Sequence, residues 1–347
     1  MATTRYASLS TYSLQTIRKL AIAFLLTVTS IYAYAEVNIS EVLKGRGVWV
    51  DSPKTFSSQQ ATLLKSMGVH RVHFMLTDDI SQFNSCADSR APEEIVSRKK
   101  ITDAIRIANQ VGLGVIVTAY VPPSKPIIDQ MLAADSLIAS AAKDGAVAGI
   151  EYDLEGKWVT SIPCQFQNHI EAVNYLVDKT RELRPPMPVG VTVHYGRLKS
   201  KKIGIDRFDW IAAQAYSKCP FKECAEHRAD IVRPSTGDKA AIKAYNNAVS
   251  RAWDNPRNQP GTMQKGVADR LGNIKIPVII GLPAYSQYWN KNHTPEEAMR
   301  RAREAVLGLQ HQHKNYVGEN YWSLSNILNT KIHPYVIPFL KGTADEQ

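Results

Sequence analysis

The sequence predicts a single-domain (β/α)8 TIM barrel that follows a removable N-terminal segment. Eight short runs rich in Val, Ile and aromatic residues alternate with amphipathic stretches, which is the order of a parallel sheet with crossover helices. Residues 48–53, at the end of the first run, are not the glycine-rich phosphate loop of a doubly wound open sheet. With 44% hydrophobic and 21% charged residues among 347, the chain is an ordinary globular protein and not a disordered, collagen-like or cysteine-scaffold chain.

The first 35 residues have the features of a secretory signal peptide. Three basic residues precede an apolar run at 20–32, and Ala33 and Ala35 supply the small residues expected before cleavage at Glu36. The alternative is a membrane anchor, but residues 20–35 are fewer than the roughly 20 that span a bilayer. We therefore expect 1–35 to be removed and 36–347 to form the barrel of an exported protein, periplasmic or secreted, with no stable membrane insertion after cleavage.

The predicted strands and helices follow one another in order along the mature chain. Each predicted strand is flanked by Gly, Pro or Asp. In the last helix, Thr294 can cap the first turn, Pro295 suits that turn and Glu297 completes a capping box. The predicted strands are 48–51, 71–76, 114–120, 147–155, 188–195, 209–216, 277–283 and 317–324, and the predicted helices are 57–67, 92–111, 127–143, 166–183, 263–271 and 295–312.

The longest connection follows the sixth predicted strand, at about 217–262, and would lie on the face of a barrel that carries active sites. It contains Cys219 and Cys224, which frame a short segment and can close a small disulfide ring. Four cysteines allow three pairings, and this ring leaves Cys86 to pair with Cys164. Export favours both disulfides, so we expect an insertion that bears one of them.

The fourth predicted strand carries three acidic residues at alternate positions. Side chains at i, i+2 and i+4 share one face, so Glu151, Asp153 and Glu155 point together, opposite to apolar residues that suit the helix shell. Buried acids are costly, and clustered carboxylates raise one another's proton affinity, which suits a proton donor. Alternatively, Lys or Arg from neighbouring strands neutralises them, although Arg71, the nearest cation on a strand, lies at the N-terminal end of its strand.

These acids and three other phrases resemble family 18 of the glycoside hydrolases, the chitinase family. Its fourth strand carries Asp-x-x-Asp-x-Asp-x-Glu, and this chain has Ala148, Glu151, Asp153 and Glu155 at those positions. The last two match, and the Ser-x-Gly-Gly of the family's third strand is absent. The other phrases are Gly-Leu-Pro-Ala-Tyr at 281–285, Tyr-Trp-Ser-Leu at 321–324 and Gln-Ala-Tyr at 214–216, so that the resemblance covers about the whole mature chain.

The resemblance implies a retaining mechanism in which the substrate assists its own cleavage. Glu155 would protonate the glycosidic oxygen as general acid/base, while the 2-acetamido carbonyl of the substrate attacks the anomeric carbon. Asp153 would orient the acetamide with help from the Tyr216 hydroxyl. Glu151 would hold Asp153 or share its proton.

Side chains near the predicted strand ends complete the candidate substrate site. Aromatic rings there can stack on sugar rings. His194 at the end of the fifth strand can be a substrate contact or a core residue. The candidate substrate-binding residues are Trp322, Tyr285, Asp51, Gln214, Tyr120 and His194.

The sequence therefore predicts a secreted glycosidase that cleaves β-linked N-acetylhexosamine glycans of the peptidoglycan or chitin type. A lysozyme-like barrel of family 25 is an alternative, because it also ends a strand in Asp-x-Glu and would join Asp51 to Asp153 and Glu155. A catalytically inactive sugar-binding barrel is a second alternative. The changes at Ala148 and Ser217, where the family has Asp, suit it, but the retained Glu155 favours an enzyme.

The chain is basic, with a formal net charge of +10 and a pI near 9.3. Such a charge favours acidic partners such as cell-wall polymers. The basic residues are scattered and no nucleic-acid motif accompanies them, so we expect a polysaccharide or oligosaccharide partner and no nucleic acid. HExxH, GxSxG, P-loop and EF-hand patterns are absent from the sequence, and a zinc site using His227 beside Cys219 and Cys224 is a weak signal. We expect no metal and no cofactor.

Overall fold

The computed structural model describes residues 38–77, 86, 91–143, 146–154, 158, 163–183, 186–199, 203–216, 261–284, 295–329 and 333–342. The predicted signal segment, Glu155, Tyr285 and the Cys219–Cys224 pair lie outside these ranges. Within them, no helix is both long enough and apolar enough to cross a bilayer.

Eight parallel strands form one closed barrel, which confirms the predicted fold class. Each strand pairs with its neighbours in sequence, and the eighth closes on the first. The strands are β1 Gly45–Val50, β2 Val69–Met75, β3 Gly114–Tyr120, β4 Gly149–Asp153, β5 Val189–His194, β6 Trp210–Gln214, β7 Val278–Pro283 and β8 Tyr316–Trp322.

The described helices surround the barrel, and two of them differ from the predicted ranges. The prediction at 92–111 begins six residues late, at Arg98, because Ser97 accepts a hydrogen bond from the Lys100 amide and starts the helix there. The range 127–143, predicted as one helix, forms two helices. Ser136 caps the second, because its hydroxyl accepts a hydrogen bond from the Ala139 amide. The helices are α1 Ile39–Leu43, α2 Ser58–Ser66, α3 Arg98–Gln110, α4 Lys125–Met131, α5 Leu137–Lys143, α6 His169–Arg181, α7 Thr262–Leu271, α8 Pro295–Gln312, α9 Leu324–Ile327 and α10 His333–Lys341.

The alternation of strands and helices has a departure between β5 and β6. The described residues of this connection form two 3-10 turns, Tyr195–Arg197 and Ile205–Arg207, instead of an α-helix. Gly204 adopts a positive φ of 55° just before the second turn, a conformation that glycine adopts without steric cost.

The two faces of β4 separate as the acidic alternation predicts. Ile150 and Tyr152 are fully buried on the side of the helices. The Tyr152 hydroxyl lies 2.7 Å from the Thr180 hydroxyl on α6, and this hydrogen bond anchors the helix to the strand. Glu151 and Asp153 therefore face the barrel interior.

The interior is filled by large side chains that lie against glycines. A Cβ at Gly190 would lie 1.8 Å from Cε2 of Trp210, and one at Gly149 would lie 2.7 Å from Cη2 of the same ring. Both distances are far below van der Waals contact, so these two strands must carry glycine for the indole to cross the barrel.

Arg71 closes the N-terminal end of the barrel. It is fully buried, and its guanidinium donates to the Asn320 side-chain oxygen at 2.7 Å. Burial lowers the pKa of Arg71 to about 9, although Glu151 and Glu319 raise it, so the guanidinium stays charged at neutral pH. It also donates to the backbone carbonyls of Leu43, Lys44, Gly45 and Glu319.

A buried ion pair lies outside the barrel, between β8 and α8. Nε of Arg303 donates to both carboxylate oxygens of Glu319, at 2.8 and 3.0 Å. Nε of Arg46 lies 3.5 Å from the same carboxylate. Burial raises the pKa of Glu319 despite these cations.

The predicted disulfide between Cys86 and Cys164 is confirmed, with a Cα–Cα distance of 5.3 Å. It joins the connection after β2 to the connection after β4. The Cys164 amide donates to Pro123 at 2.8 Å and its carbonyl accepts from Lys125 at 3.1 Å, so the segment is also held against the β3–α4 connection. The second predicted disulfide, between Cys219 and Cys224, stays a prediction.

Candidate active site

The C-terminal ends of β3, β4, β5 and β6 bring four of the predicted site residues onto adjacent strands. Asp153 pairs in register with Tyr120 on one side and with Thr192 on the other. Gln214 pairs with His194, and its amide donates to the Thr192 hydroxyl at 3.2 Å. Asp153 is the last residue of β4 and is 7% exposed, so it lies at the C-terminal end of the barrel interior.

An aromatic wall is formed by Trp49 on β1, Tyr216 just after β6 and Trp322 at the end of β8. The Trp49 ring is centred 6.0 Å from Trp322 and 6.3 Å from Tyr216, where it makes an edge contact. Trp322 is half-buried, whereas the other two rings are almost fully buried. Trp322 therefore presents the accessible surface of this wall. The peptide bond that follows it, to Ser323, is cis.

Asp51 lies at the rim just after β1, where it binds the start of α9. Its carboxylate accepts hydrogen bonds from the hydroxyl and the backbone amide of Ser325. The Ser325 hydroxyl also lies 2.9 Å from that of Ser323. Asp51 thus ties the end of β1 to the segment that follows Trp322.

Two further predicted residues make local backbone contacts at the rim. Nδ1 of His194 accepts a hydrogen bond from the Gly196 amide at 3.1 Å and so caps a 3-10 turn. The backbone of Tyr120 exchanges two hydrogen bonds with the Thr77 hydroxyl, at 2.8 and 3.1 Å. Both residues are therefore fixed at the ends of their strands.

Glu151 lies below the opening and is fully buried within a set of four donors. Its Oε2 accepts from the Trp210 indole at 3.0 Å. Its Oε1 accepts from the Trp49 indole at 3.1 Å and from Thr118 at 3.2 Å, and Nδ1 of His73 lies 3.2 Å from the same oxygen. This arrangement satisfies a carboxylate, which only accepts hydrogen bonds.

The electrostatics of Glu151 and His73 agree with that arrangement. Burial raises the pKa of Glu151, but the interactions with His73 and the hydrogen bonds from Trp210 and Trp49 outweigh it, so that pKa lies below the ordinary value. Burial lowers the pKa of His73 below its ordinary value by more than the Glu151 carboxylate raises it. At neutral pH the site therefore holds an ionised Glu151 and a neutral His73.

The four donors around Glu151 are not among the site residues that the sequence predicts. Arg71 is the nearest strand-borne cation in the sequence, but its place at the N-terminal end of β2 predicts that its charge lies away from the acids. Its Nε donates to Nε2 of His73 at 3.2 Å, and His73 in turn contacts Glu151, so Arg71 acts on the carboxylate through an intervening ring. The available signal was the pair of polar residues at alternate positions, Arg71 and His73, which share one face of the strand.

Glu155 and Tyr285, which the sequence places in the catalytic and substrate-binding sets, lie outside the described residues, and their roles stay predictions. Among the residues that the structure describes, no group of three or more His, Cys, Asp or Glu side chains is arranged to hold a metal ion.

The sequence matches no protein-family model and no curated protein. Its fold is similar to two solved structures of a GH113 β-1,4-mannanase, each with a TM-score of 0.52. They are 12% and 10% identical, and the alignments cover 88% of this chain and 99% of the other. A structure of concanavalin B is similar at a TM-score of 0.46 and 13% identity, over 87% of this chain and 100% of the other. At such identities the likeness shows a (β/α)8 barrel, and membership of family 18 stays a prediction.

Proposed function

We propose that this protein is a glycosidase with its active site at the C-terminal opening of the barrel. The observation that carries the proposal is the pair of inward-facing carboxylates on β4, Glu151 and Asp153, beside the aromatic wall. Barrel enzymes place reactive groups at this end of their strands. Glu155 follows Asp153 by two residues in the sequence, and we assign it the role of general acid/base.

The proposed substrates are glycans with β-linked N-acetylhexosamine. Glu155 donates its proton to the glycosidic oxygen as the bond to the anomeric carbon breaks. The acetamide oxygen of the same sugar forms a bond to that carbon, and water later reopens the ring that results, with Glu155 as base. Asp153 orients the acetamide and stabilises the positive charge that develops on it, and the Tyr216 hydroxyl assists.

The aromatic and polar groups at the opening suit a carbohydrate. A sugar ring has apolar faces that stack on indole rings and hydroxyl edges that need hydrogen-bond partners. Trp322 offers the stacking surface, while Asp51 after β1 and Gln214 at the end of β6 offer polar groups at the same end of the barrel. We assign Tyr120, Tyr285 and His194 to the same substrate site as further contacts.

Release of sugar from defined polymers tests this function. The exported protein is incubated with peptidoglycan, with chitin oligomers and with β-1,4-mannan, and Glu155→Gln is run in parallel. Mannan is included because the two structures with a similar fold are β-1,4-mannanases and because mannan has no 2-acetamido group. We expect new reducing ends from an N-acetylated polymer with the wild type only. Cleavage of mannan alone would contradict the acetamide mechanism, and binding without cleavage by both proteins would favour the inactive sugar-binding barrel.

We also propose that the protein is exported and cleaved before Glu36. The Cys86–Cys164 disulfide supports this, because such bonds persist in oxidising compartments. Mass spectrometry of the protein recovered from the periplasm or the medium should show an N-terminus at Glu36. An intact N-terminus found in the membrane fraction would favour the anchor instead.

A further inference from the structure

We propose that Arg71 and His73 are positioning residues that hold Glu151 as a permanent carboxylate beneath the active site. The catalytic part of this inference rests on the proposed glycosidase function, whereas the relay of hydrogen bonds from Arg71 to Glu151 does not. The role differs from the proton sharing with Asp153 that the family resemblance implies for Glu151.

The direction of every hydrogen bond in the relay is fixed by the chemistry of Arg71. A guanidinium has donors and no acceptor, so Nε2 of His73, 3.2 Å from Nε of Arg71, must present its lone pair. The imidazole is then neutral, with its proton on Nδ1. That proton points at Oε1 of Glu151, 3.2 Å away. All three side chains are fully buried, so water does not compete for these bonds.

Arg71 cannot turn away from His73, because groups at the N-terminal end of the barrel hold its guanidinium in place. Its two terminal nitrogens are engaged by backbone carbonyls and by Asn320. A Cβ at Gly47 would lie 2.8 Å from Nε of Arg71 and 2.0 Å from Oδ1 of Asn320. The guanidinium therefore occupies space that only a glycine leaves open.

The remaining donors to Glu151 favour the ionised form of its carboxyl group, because hydrogen bonds to an anion are stronger than hydrogen bonds to a neutral acid. The indoles of Trp49 and Trp210 can only donate, and they occupy one oxygen each. A proton on either oxygen would remove the negative charge that strengthens these bonds. Glu151 therefore stays anionic through turnover, and a proton that moves in the reaction is carried by groups closer to the opening.

The fixed charge of Glu151 acts on the acids above it. Asp153 lies two residues further along the same face of β4, a separation of about 7 Å in a strand. A neighbouring anion raises the proton affinity of a carboxyl group. Arg71 and His73 thus supply the site with an anion that neither moves nor titrates near neutral pH.

The charged groups that face His73 are few among the described residues. They are Arg71 on its own strand and Glu151 on β4, whereas the register neighbours on β1 and β3, Trp49 and Ile116, carry no charge. The protonation state of His73 consequently reports on the relay and on little else.

The tautomer of His73 tests the relay without reference to activity. Nitrogen-15 NMR of the exported protein should show a protonated Nδ1 and an unprotonated Nε2 on His73, unchanged as the pH falls past the ordinary imidazole pKa of about 6.5. A proton on Nε2, or titration of His73 at that ordinary value, would overturn the inference.

Two variants of His73 test its effect on catalysis. The amide of His73→Gln can donate to Glu151 and accept from Arg71, whereas His73→Leu can do neither. We expect His73→Leu to lower kcat about 100-fold with little change in KM, because a group that acts only on the transition state affects kcat. We expect His73→Gln to have a kcat at least about 10-fold higher than that of His73→Leu. His70→Gln, the same change at an exposed histidine of β2, is the matched control.

Equal activity of His73→Leu and His73→Gln would contradict the positioning role. If His73→Leu does not fold, the comparison of His73→Gln with the wild type, together with the NMR tautomer, decides the question. Failure of the wild type to cleave any glycan would overturn the proposed function while the tautomer result for the relay still stands.

Discussion

The indole ring of Trp210 occupies the space that a side chain at Gly190 would need, since a Cβ there would lie 1.8 Å from the ring. The same indole donates to Oε2 of Glu151 at 3.0 Å. Gly190 on β5 lies between Glu151 on β4 and Trp210 on β6. The space left by this glycine therefore sets the position of the indole that donates to the buried carboxylate. Packing and electrostatics of the candidate site are coupled through this one glycine.

Gly190→Ala should destabilise the barrel by about 3 kcal/mol or more, since the ring has no room to shift in a filled interior. Urea denaturation of the exported protein measures the change in the free energy of unfolding. Gly308→Ala in α8 is the matched control, because nothing lies within 4 Å of a Cβ at that position. The control should gain about 0.5–1 kcal/mol from helix propensity. Equal effects of the two substitutions would contradict the packing argument.

The stability of the fold should fall as the pH is lowered, in two steps. His73 has a lowered pKa in the folded state, so its contribution is complete above the unfolded value of 6.5 and is lost as the pH falls through the folded pKa. The pKa of Glu151 is also lowered in the folded state, so its contribution to stability is lost as the pH falls below the unfolded value of 4.5 and through the folded pKa. Urea denaturation at a series of pH values should show both steps, and the first should be smaller in His73→Gln, where His70, whose pKa burial and Arg71 also lower, still titrates. A first step of equal size in His73→Gln would show that another group titrates there.

The Cys86–Cys164 disulfide closes a long stretch of chain, with a sequence separation of 78 residues. Loop-closure entropy predicts that its loss costs about 4 kcal/mol. Denaturation of the paired Cys86→Ala, Cys164→Ala variant against the wild type measures this cost. A loss below about 1 kcal/mol would mean that the reduced, unfolded chain is already restricted in this region.

The ion pair of Arg303 and Glu319 should be costly to break and inexpensive to replace. Glu319→Gln leaves the buried guanidinium without its anion and should cost about 3–5 kcal/mol. Arg303→Met combined with Glu319→Leu removes both charges and should recover most of that loss. A double-mutant cycle of Arg303→Met, Glu319→Leu and their combination, followed by thermal denaturation, gives the coupling energy, and additive effects of the two substitutions would show that the pair is not coupled.

The strands and the inward-facing acids were predictable because their signals are local. Runs of Val and Ile bounded by turn residues gave eight strands in the right order, and the period-two pattern gave the facing of Glu151 and Asp153. The break between α4 and α5 was not predictable from periodicity, because the residues on both sides of Ser136 continue an apolar helical pattern.

The surroundings of Glu151 depend on contacts that are distant in sequence. The relay runs from Arg71 through His73 on β2 to Glu151 on β4. Because the arginine side chain is long, the position of its Cα is a poor guide to where its charge acts. The contact of Trp210 with Gly190 and Glu151 depends on the register of β4, β5 and β6, which the sequence does not encode in any single segment. Such contacts can be identified only once the arrangement of the strands in the closed barrel is known.

The most direct test of the proposed function is the stereochemistry of the first product released from a chitin oligomer, followed by proton NMR as it forms. Retention through the acetamide predicts that the β-anomer appears first, with the wild type and not with Glu155→Gln. Initial release of the α-anomer, or equal cleavage of an oligomer without the acetamido group, would contradict the assignment of Glu155, Asp153 and the substrate acetamide to the reaction.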